Sequence, residues 1–172
     1  MRATPSAADR TPPLYSPQQR RLRDESVWTL VQGVLAPVQF LIFFVSLVLV
    51  VRFLLTGNGE SAAVASVVVK TLALYAIMIT GAIWEKVVFG RYLFADAFFW
   101  EDVFSMLVLA LHTAYLVALA THALAPAGLM YLALTAYATY VINATQFLLK
   151  LRAARLDVAA TNPPVPAMAG AK

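Results

Sequence analysis

Residues 27–55 read VWTLVQGVLAPVQFLIFFVSLVLVVRFLL. About 20 predominantly apolar residues carry a helix across the hydrocarbon core of a bilayer, and this block exceeds that length. Its early part, as far as Pro37, therefore lies partly in the interface or runs tilted, and Pro37 reads as a kink rather than a substrate contact. Three further blocks qualify, at about residues 62–83, 98–124 and 127–149. TGNGES before the second is turn chemistry, and ALAPAG precedes the fourth. With 61% hydrophobic and 13% charged residues in 172, the chain is expected to be all-α, a single integral membrane four-helix transmembrane bundle over residues 27–152. It contains no cysteine, which excludes disulfides, thiolate metal sites and cysteine nucleophiles together.

Outward from the bundle, residues 1–26 are rich in Pro, Ser, Ala and Arg and lack the apolar core of a cleavable signal. Residues 153–172, with TNPPVPAMAG, have a similar composition. Both read as disordered tails. Lys and Arg set orientation. Arg20, Arg21 and Arg23 precede the first span, Lys86 and Arg91 lie between the second and third, and Lys150, Arg152 and Arg155 follow the fourth. The other two loops hold neither residue type, so both termini and the 84–97 loop are expected on the cytoplasmic side of the membrane. The net charge of +4 suits contact with anionic lipid at that face; no interleaved basic and aromatic surface suggests nucleic acid.

That cytoplasmic loop opens a second question, because residues 84–106 read WEKVVFGRYLFADAFFWEDVFSM. Glu85, Glu101 and Asp102 lie beside or inside apolar runs, where an ionisable group is costly and is usually paired or functional. One reading is a structural clasp with Lys86 and Arg91; the other is chemistry. Side chains three, four, seven or eleven apart share a helix face, and every span has one polar stripe. These are Gln32, Gln39 and Ser46; Lys70, Ile77, Gly81 and Trp84; Glu101, Ser105, Val108 and His112; and Thr139, Asn143, Gln146 and Lys150. Four such seams fit helices around a polar interior, although Asn and Gln in membranes also serve as plain interhelical hydrogen bonds. Lys70 is expected to snorkel toward the far face. Trp84 and Trp100 are either interfacial anchors or ligand contacts. His112 lies about 16 Å deeper than Glu101 at 1.5 Å per residue. With His122 further along the same helix, a bis-histidine haem is excluded. A single axial contact to a planar macrocycle and a hydrogen bond to another helix both stay open.

The segments WTLVQGVLAPVQFLIF, ITGAIWEKVVFGRYLFADAFFWEDVFSMLVLALHTAYL and YVINATQFLLKLR closely resemble the 3-vinyl bacteriochlorophyllide hydratase family of bacteriochlorophyll biosynthesis, over roughly residues 15–155. The resemblance implies a membrane hydro-lyase that adds water to the 3-vinyl group of chlorophyllide a or 3-vinyl bacteriochlorophyllide, giving the 3-(1-hydroxyethyl) derivative. On that basis Glu85, Glu101 and Asp102 are the expected acid–base groups, since a carboxyl crowded by apolar surroundings or a second carboxylate keeps its proton more readily. Trp84 and Trp100 would pack on the pigment, and Lys86 or Arg91 would bind its free propionate. Asn143 and Gln146 would also meet the substrate. His112 would approach the substrate's own magnesium. No protein-held metal or cofactor is implied. Expected partners are the pigment, the lipid bilayer and neighbouring enzymes of the pathway. A non-enzymatic pigment-binding or photosystem assembly protein is the alternative, needing His112 and the aromatics but not the acids.

Overall fold

The computed structural model describes residues 14–161, with side chains as far as residue 155. The described residues fold into a short helix α1 (Pro17–Glu25) and four long ones, α2 (Val27–Thr56), α3 (Glu60–Phe89), α4 (Phe99–Ala120) and α5 (Pro126–Thr161). The four long helices are each apolar enough over a sufficient length to cross a membrane, as the hydrophobic blocks predict. Local chemistry sets their ends. Ser26 caps α2 by accepting from the Trp28 amide. Gly57 and Gly90 close α2 and α3 at φ 71° and 80°, a left-handed conformation that costs glycine little.

α2 and α3 form one hairpin and α4 and α5 another, and the hairpins meet through α2 against α5 and α3 against α4. Apolar packing concentrates where they meet, around Phe43, Val50, Val67, Tyr115, Met130 and Tyr137. Between helices immersed in lipid, packing and interhelical hydrogen bonds replace the hydrophobic effect as the cohesive force. The polar seams supply the second of these. Ser46 Oγ bonds Tyr137 OH at 2.5 Å and Ser66 Oγ at 2.7 Å, and Gln32 Nε2 donates to Thr80 Oγ1 at 2.7 Å. Tyr137→Phe is expected to lower stability by about 1 kcal/mol, because Ser46 keeps Ser66 as a partner. The unfolding midpoint in mixed micelles measures this.

Several elements differ from the sequence expectation. Residues 17–25, assigned to a disordered tail, form α1. Ser16 and Gln19 make a reciprocal capping box, Pro17 occupies the first turn, and Arg21 pairs with Glu25 one turn on. Residues 1–13 and 162–172 of the two expected tails lie outside the described residues. The third span stops at Ala120, followed by a turn in which His122 takes φ 53°. The fourth continues well past Leu149, to Thr161. Lys70 does not snorkel. It is fully buried, its Nζ donating to Gln39 Oε1 at 3.1 Å and lying 3.7 Å from the centre of the Tyr140 ring. A neighbouring amide and an aromatic face spare it the climb to water.

Candidate functional site

At the end of the bundle opposite the two tight turns, α1, the 90–98 loop and the distal part of α5 come together. Gly90 ends α3 one turn after Glu85, and α4 begins at Phe99 with Glu101 and Asp102 in its first turn. A helix N-terminus favours negative charge there. All three carboxyls are buried, and each has a distinct partner. Asp102 Oδ2 accepts from the Phe94 amide at 2.7 Å, and Glu85 Oε2 accepts from the Ala95 amide at 3.4 Å. The Glu85 and Asp102 carboxyls also lie within hydrogen-bonding reach of each other. Together they clasp a loop in which Phe94 adopts φ 58°, a conformation costly for a bulky side chain. Two carboxyls in contact bond only if a proton lies between them; otherwise they repel.

Glu101 faces the other way, toward α5. Its Oε2 accepts from Lys150 Nζ at 2.6 Å, and one turn deeper Asn143 Nδ2 donates to Ser105 Oγ at 2.8 Å. Asn143 Oδ1 and Gln146 Oε1, on the same face of α5, are buried without a donor. An aromatic cluster walls this region. Trp84 and Phe89 meet Phe98 edge-on at 5.7 Å each, and Phe98 stacks on Phe147 at 5.8 Å. Tyr15, just before α1, stacks on Phe89 at 5.7 Å under the Arg23 guanidinium. Burial pushes its phenol above the ordinary value, against the opposing pull of Arg23. A cleft of about 640 Å³ opens beside the cluster, lined by Leu14, Gln19, Phe89, Arg91, Ala95, Asp96, Ala97 and Lys150. Two of these residues, Ala95 and Lys150, hold Glu85 and Glu101 directly, so the acids stand immediately behind the cleft wall.

The site residues expected from sequence are thus brought together only in part. Glu85, Glu101, Asp102, Asn143 and Gln146 converge at one end, and Trp84 joins the wall with its Nε1 donating to Thr29 Oγ1 at 2.9 Å. Arg91 lines the cleft and pairs loosely with exposed Asp96 at 3.6 Å. Lys86 is exposed and turned onto the Gly90 carbonyl at 2.8 Å, outside the cleft lining. Neither cation forms the clasp on the three acids; Lys150 does so for Glu101, and backbone amides do so for the other two. Trp100 is 67% exposed on the outer surface of α4, a position suited to lipid and unsuited to an enclosed pigment site. His112 is fully buried at mid-bundle, its Nδ1 bonded to the Val108 carbonyl at 2.8 Å and its ring 5.9 Å from that of Tyr137. The ring is enclosed, and its Nε2 is buried with no hydrogen-bond partner among the described residues. Lys150 was legible in sequence only as an orientation-setting cation and a member of a polar stripe, not as the partner of Glu101.

Comparison with known proteins extends this picture. Residues 15–153 match the family described as 2-vinyl bacteriochlorophyllide hydratase. A protein of that name from Rhodobacter capsulatus is 67% identical over 147 residues, covering 85% of this chain and 85% of the relative. Its counterpart from Cereibacter sphaeroides is 66% identical over 148 residues, covering 86% of this chain and 91% of the relative. No solved structure matches. The matched region runs through every helix and includes all three buried acids. The chain belongs to the 2-vinyl bacteriochlorophyllide hydratase family and is an enzyme, a hydratase.

Proposed function

We propose that the enzyme adds water across the ring-attached vinyl group of a chlorophyllide-type pigment, numbered 2 in the family name and 3 in the current macrocycle convention, to give the 1-hydroxyethyl substituent. The observation that carries this reading is the placement of two differently partnered acid groups behind one cleft: the Glu85–Asp102 pair, and Glu101 with Lys150. Markovnikov hydration needs a proton for the terminal vinyl carbon, a water for the inner carbon and a base for that water's proton. The conjugated ring spreads the positive charge in between.

In this scheme the Glu85–Asp102 pair supplies the proton it shares, and the vinyl π electrons form the new C–H bond. Water then attacks the carbon attached to the ring, and Glu101 takes one of its protons. Glu101 and Asp102 are chain neighbours on the first turn of α4, so the proton returns to the pair over a short path and the site is restored. General acid–base assistance of this kind is worth about 10²–10⁴-fold. The edge of the macrocycle occupies the cleft, with Phe89 against it and the vinyl group directed past Ala95 and Lys150. Arg91, at the exposed rim, binds the pigment's free carboxylate. The magnesium travels with the substrate and takes no part in the steps assigned to the protein.

The same end of the bundle holds Arg20, Arg21, Arg23, Lys86, Arg91, Lys150, Arg152 and Arg155, whereas the other end has only Arg52 near it. By the positive-inside rule that end is cytoplasmic, which puts both termini and the cleft on the cytoplasmic face of a bacterial inner membrane. Substrate is taken there from lipid or from a neighbouring pathway enzyme. Incubating the purified protein with a vinyl chlorophyllide in oxygen-labelled water tests the reading. One labelled oxygen is expected in the hydroxyethyl product, and pigment recovered unlabelled and unchanged would overturn hydration.

A further inference from the structure

The geometry points to a seat for the nucleophilic water between α4 and α5, built from the amide oxygens of Asn143 and Gln146 together with the Glu101 carboxylate. This rests on the hydration reading above and adds what that reading lacks, the place from which water attacks. Two interhelical bonds fix the register of the antiparallel pair. Asn143 meets Ser105, and Lys150 meets Glu101. At 1.5 Å per residue, Gln146 stands about 4.5 Å along the helix from Asn143 and about 6 Å from Lys150, between the two bonds and on the same face. Asn143 commits its Nδ2 to Ser105, which leaves Oδ1 free; this residue is 8% exposed. Asn143 Oδ1 and Gln146 Oε1 are both buried and lack any donor. Buried polar atoms without protein partners are commonly satisfied by water bonded to two to four such groups.

The chemistry of these two acceptor atoms decides which molecule belongs beside them. A water poised to attack a carbocation must donate both hydrogens and keep a lone pair free toward carbon. Its seat must therefore consist of acceptors. Glu101 accepts one hydrogen with the carboxylate oxygen that Lys150 does not hold, and Asn143 Oδ1 and Gln146 Oε1 share the other in a three-centre bond. During attack one O–H bond of the water breaks toward Glu101 as the C–O bond forms. The second hydrogen stays on oxygen, held between the two amide oxygens, and becomes the hydroxyl hydrogen of the product. A donor in place of either amide oxygen would pull on the lone pair that has to attack.

A seat of this kind prefers a nucleophile with two hydrogens to give over one with a single hydrogen, and that preference is measurable. The full-length enzyme is assayed in water containing methanol, and the ratio of hydroxyethyl to methoxyethyl pigment is read by mass. That ratio counts only molecules that turn over, so it is insensitive to any unfolded fraction. The native enzyme is expected to yield the alcohol almost alone. Gln146→Met removes an acceptor at nearly constant volume. It is expected to reduce kcat roughly 10- to 100-fold, to leave KM for the pigment unchanged, and to shift product toward the ether. Gln146→Glu, which restores an acceptor oxygen, should recover the native product ratio, and Asn143→Leu should repeat the shift at the second amide. Native kcat and native product ratio in both Gln146→Met and Asn143→Leu would overturn the seat while leaving hydration intact. Failure of the native enzyme to form any alcohol would instead overturn the reading on which the seat rests.

Discussion

Glu101→Gln is expected to reduce hydration by roughly 10²–10⁴-fold, with pigment affinity close to native. Glutamine keeps the shape and an acceptor oxygen, so Lys150 Nζ retains a partner, but the amide takes no proton from water. The fold should survive. Removing one member of a buried ion pair costs about 3–5 kcal/mol because the other charge is stranded. Here the Lys150 side chain keeps 24% of its surface exposed, and it can turn to solvent or to the new amide oxygen. Lys150→Met acts in the opposite sense. It strands the Glu101 charge, whose side chain is only 9% exposed, and is expected to lower both turnover and the unfolding midpoint. The pair of variants separates chemistry from support. Single-turnover rates at saturating pigment report the first, and pigment titration by absorbance together with thermal unfolding reports the second. A Glu101→Gln enzyme with near-native turnover would exclude Glu101 as the base.

The sequence reveals the spans because a bilayer demands length and apolarity, and both are written locally. It also reveals the seams. Glu101, Ser105, Val108 and His112, chosen by helical spacing alone, are all buried. Lipid cannot satisfy polar atoms, so they must turn inward. What sequence periodicity lacks is register between helices. The Glu101–Lys150 and Asn143–Ser105 bonds depend on how far α5 slides along α4, and Lys70 escapes snorkelling only because Gln39 of another helix stands beside it. The 90–98 loop was equally hidden. Its course depends on Glu85 and Asp102 binding backbone amides at Ala95 and Phe94, and nothing in FGRYLFADA announces a left-handed Phe94. Trp84 and Trp100 each precede a glutamate, yet one enters the aromatic wall and the other faces outward. By contrast α1 was legible: Ser16-Pro17-Gln18-Gln19 is a helix-start signal, masked by the composition of the stretch around it.

Glu85→Gln and Asp102→Asn are each expected to cost about 10²–10⁴-fold in turnover, and the double variant little more than the worse single one. Groups that act as a unit lose their function when either is removed, so their effects do not add. The reasoning follows from the contact between the two carboxyls. An amide imitates the protonated acid as a hydrogen-bond donor to its partner, while its oxygen still accepts from Ala95 or Phe94. The clasp on the 90–98 loop therefore persists, and what disappears is a proton that can leave. Asp102→Ala tests the other half of this statement. It frees the Phe94 amide and removes the tether on a left-handed residue. An unsatisfied buried donor costs about 1–3 kcal/mol, so this variant should lose stability and raise KM, whereas the amide variants should do neither. A double-mutant cycle on single-turnover rates gives the decisive number. Losses that multiply would mean two independent acids, and a native rate in either amide variant would place the proton donor elsewhere. Losses that merge into one would locate it in the contact between α3 and α4, where the chain sets two carboxyls side by side in an apolar wall.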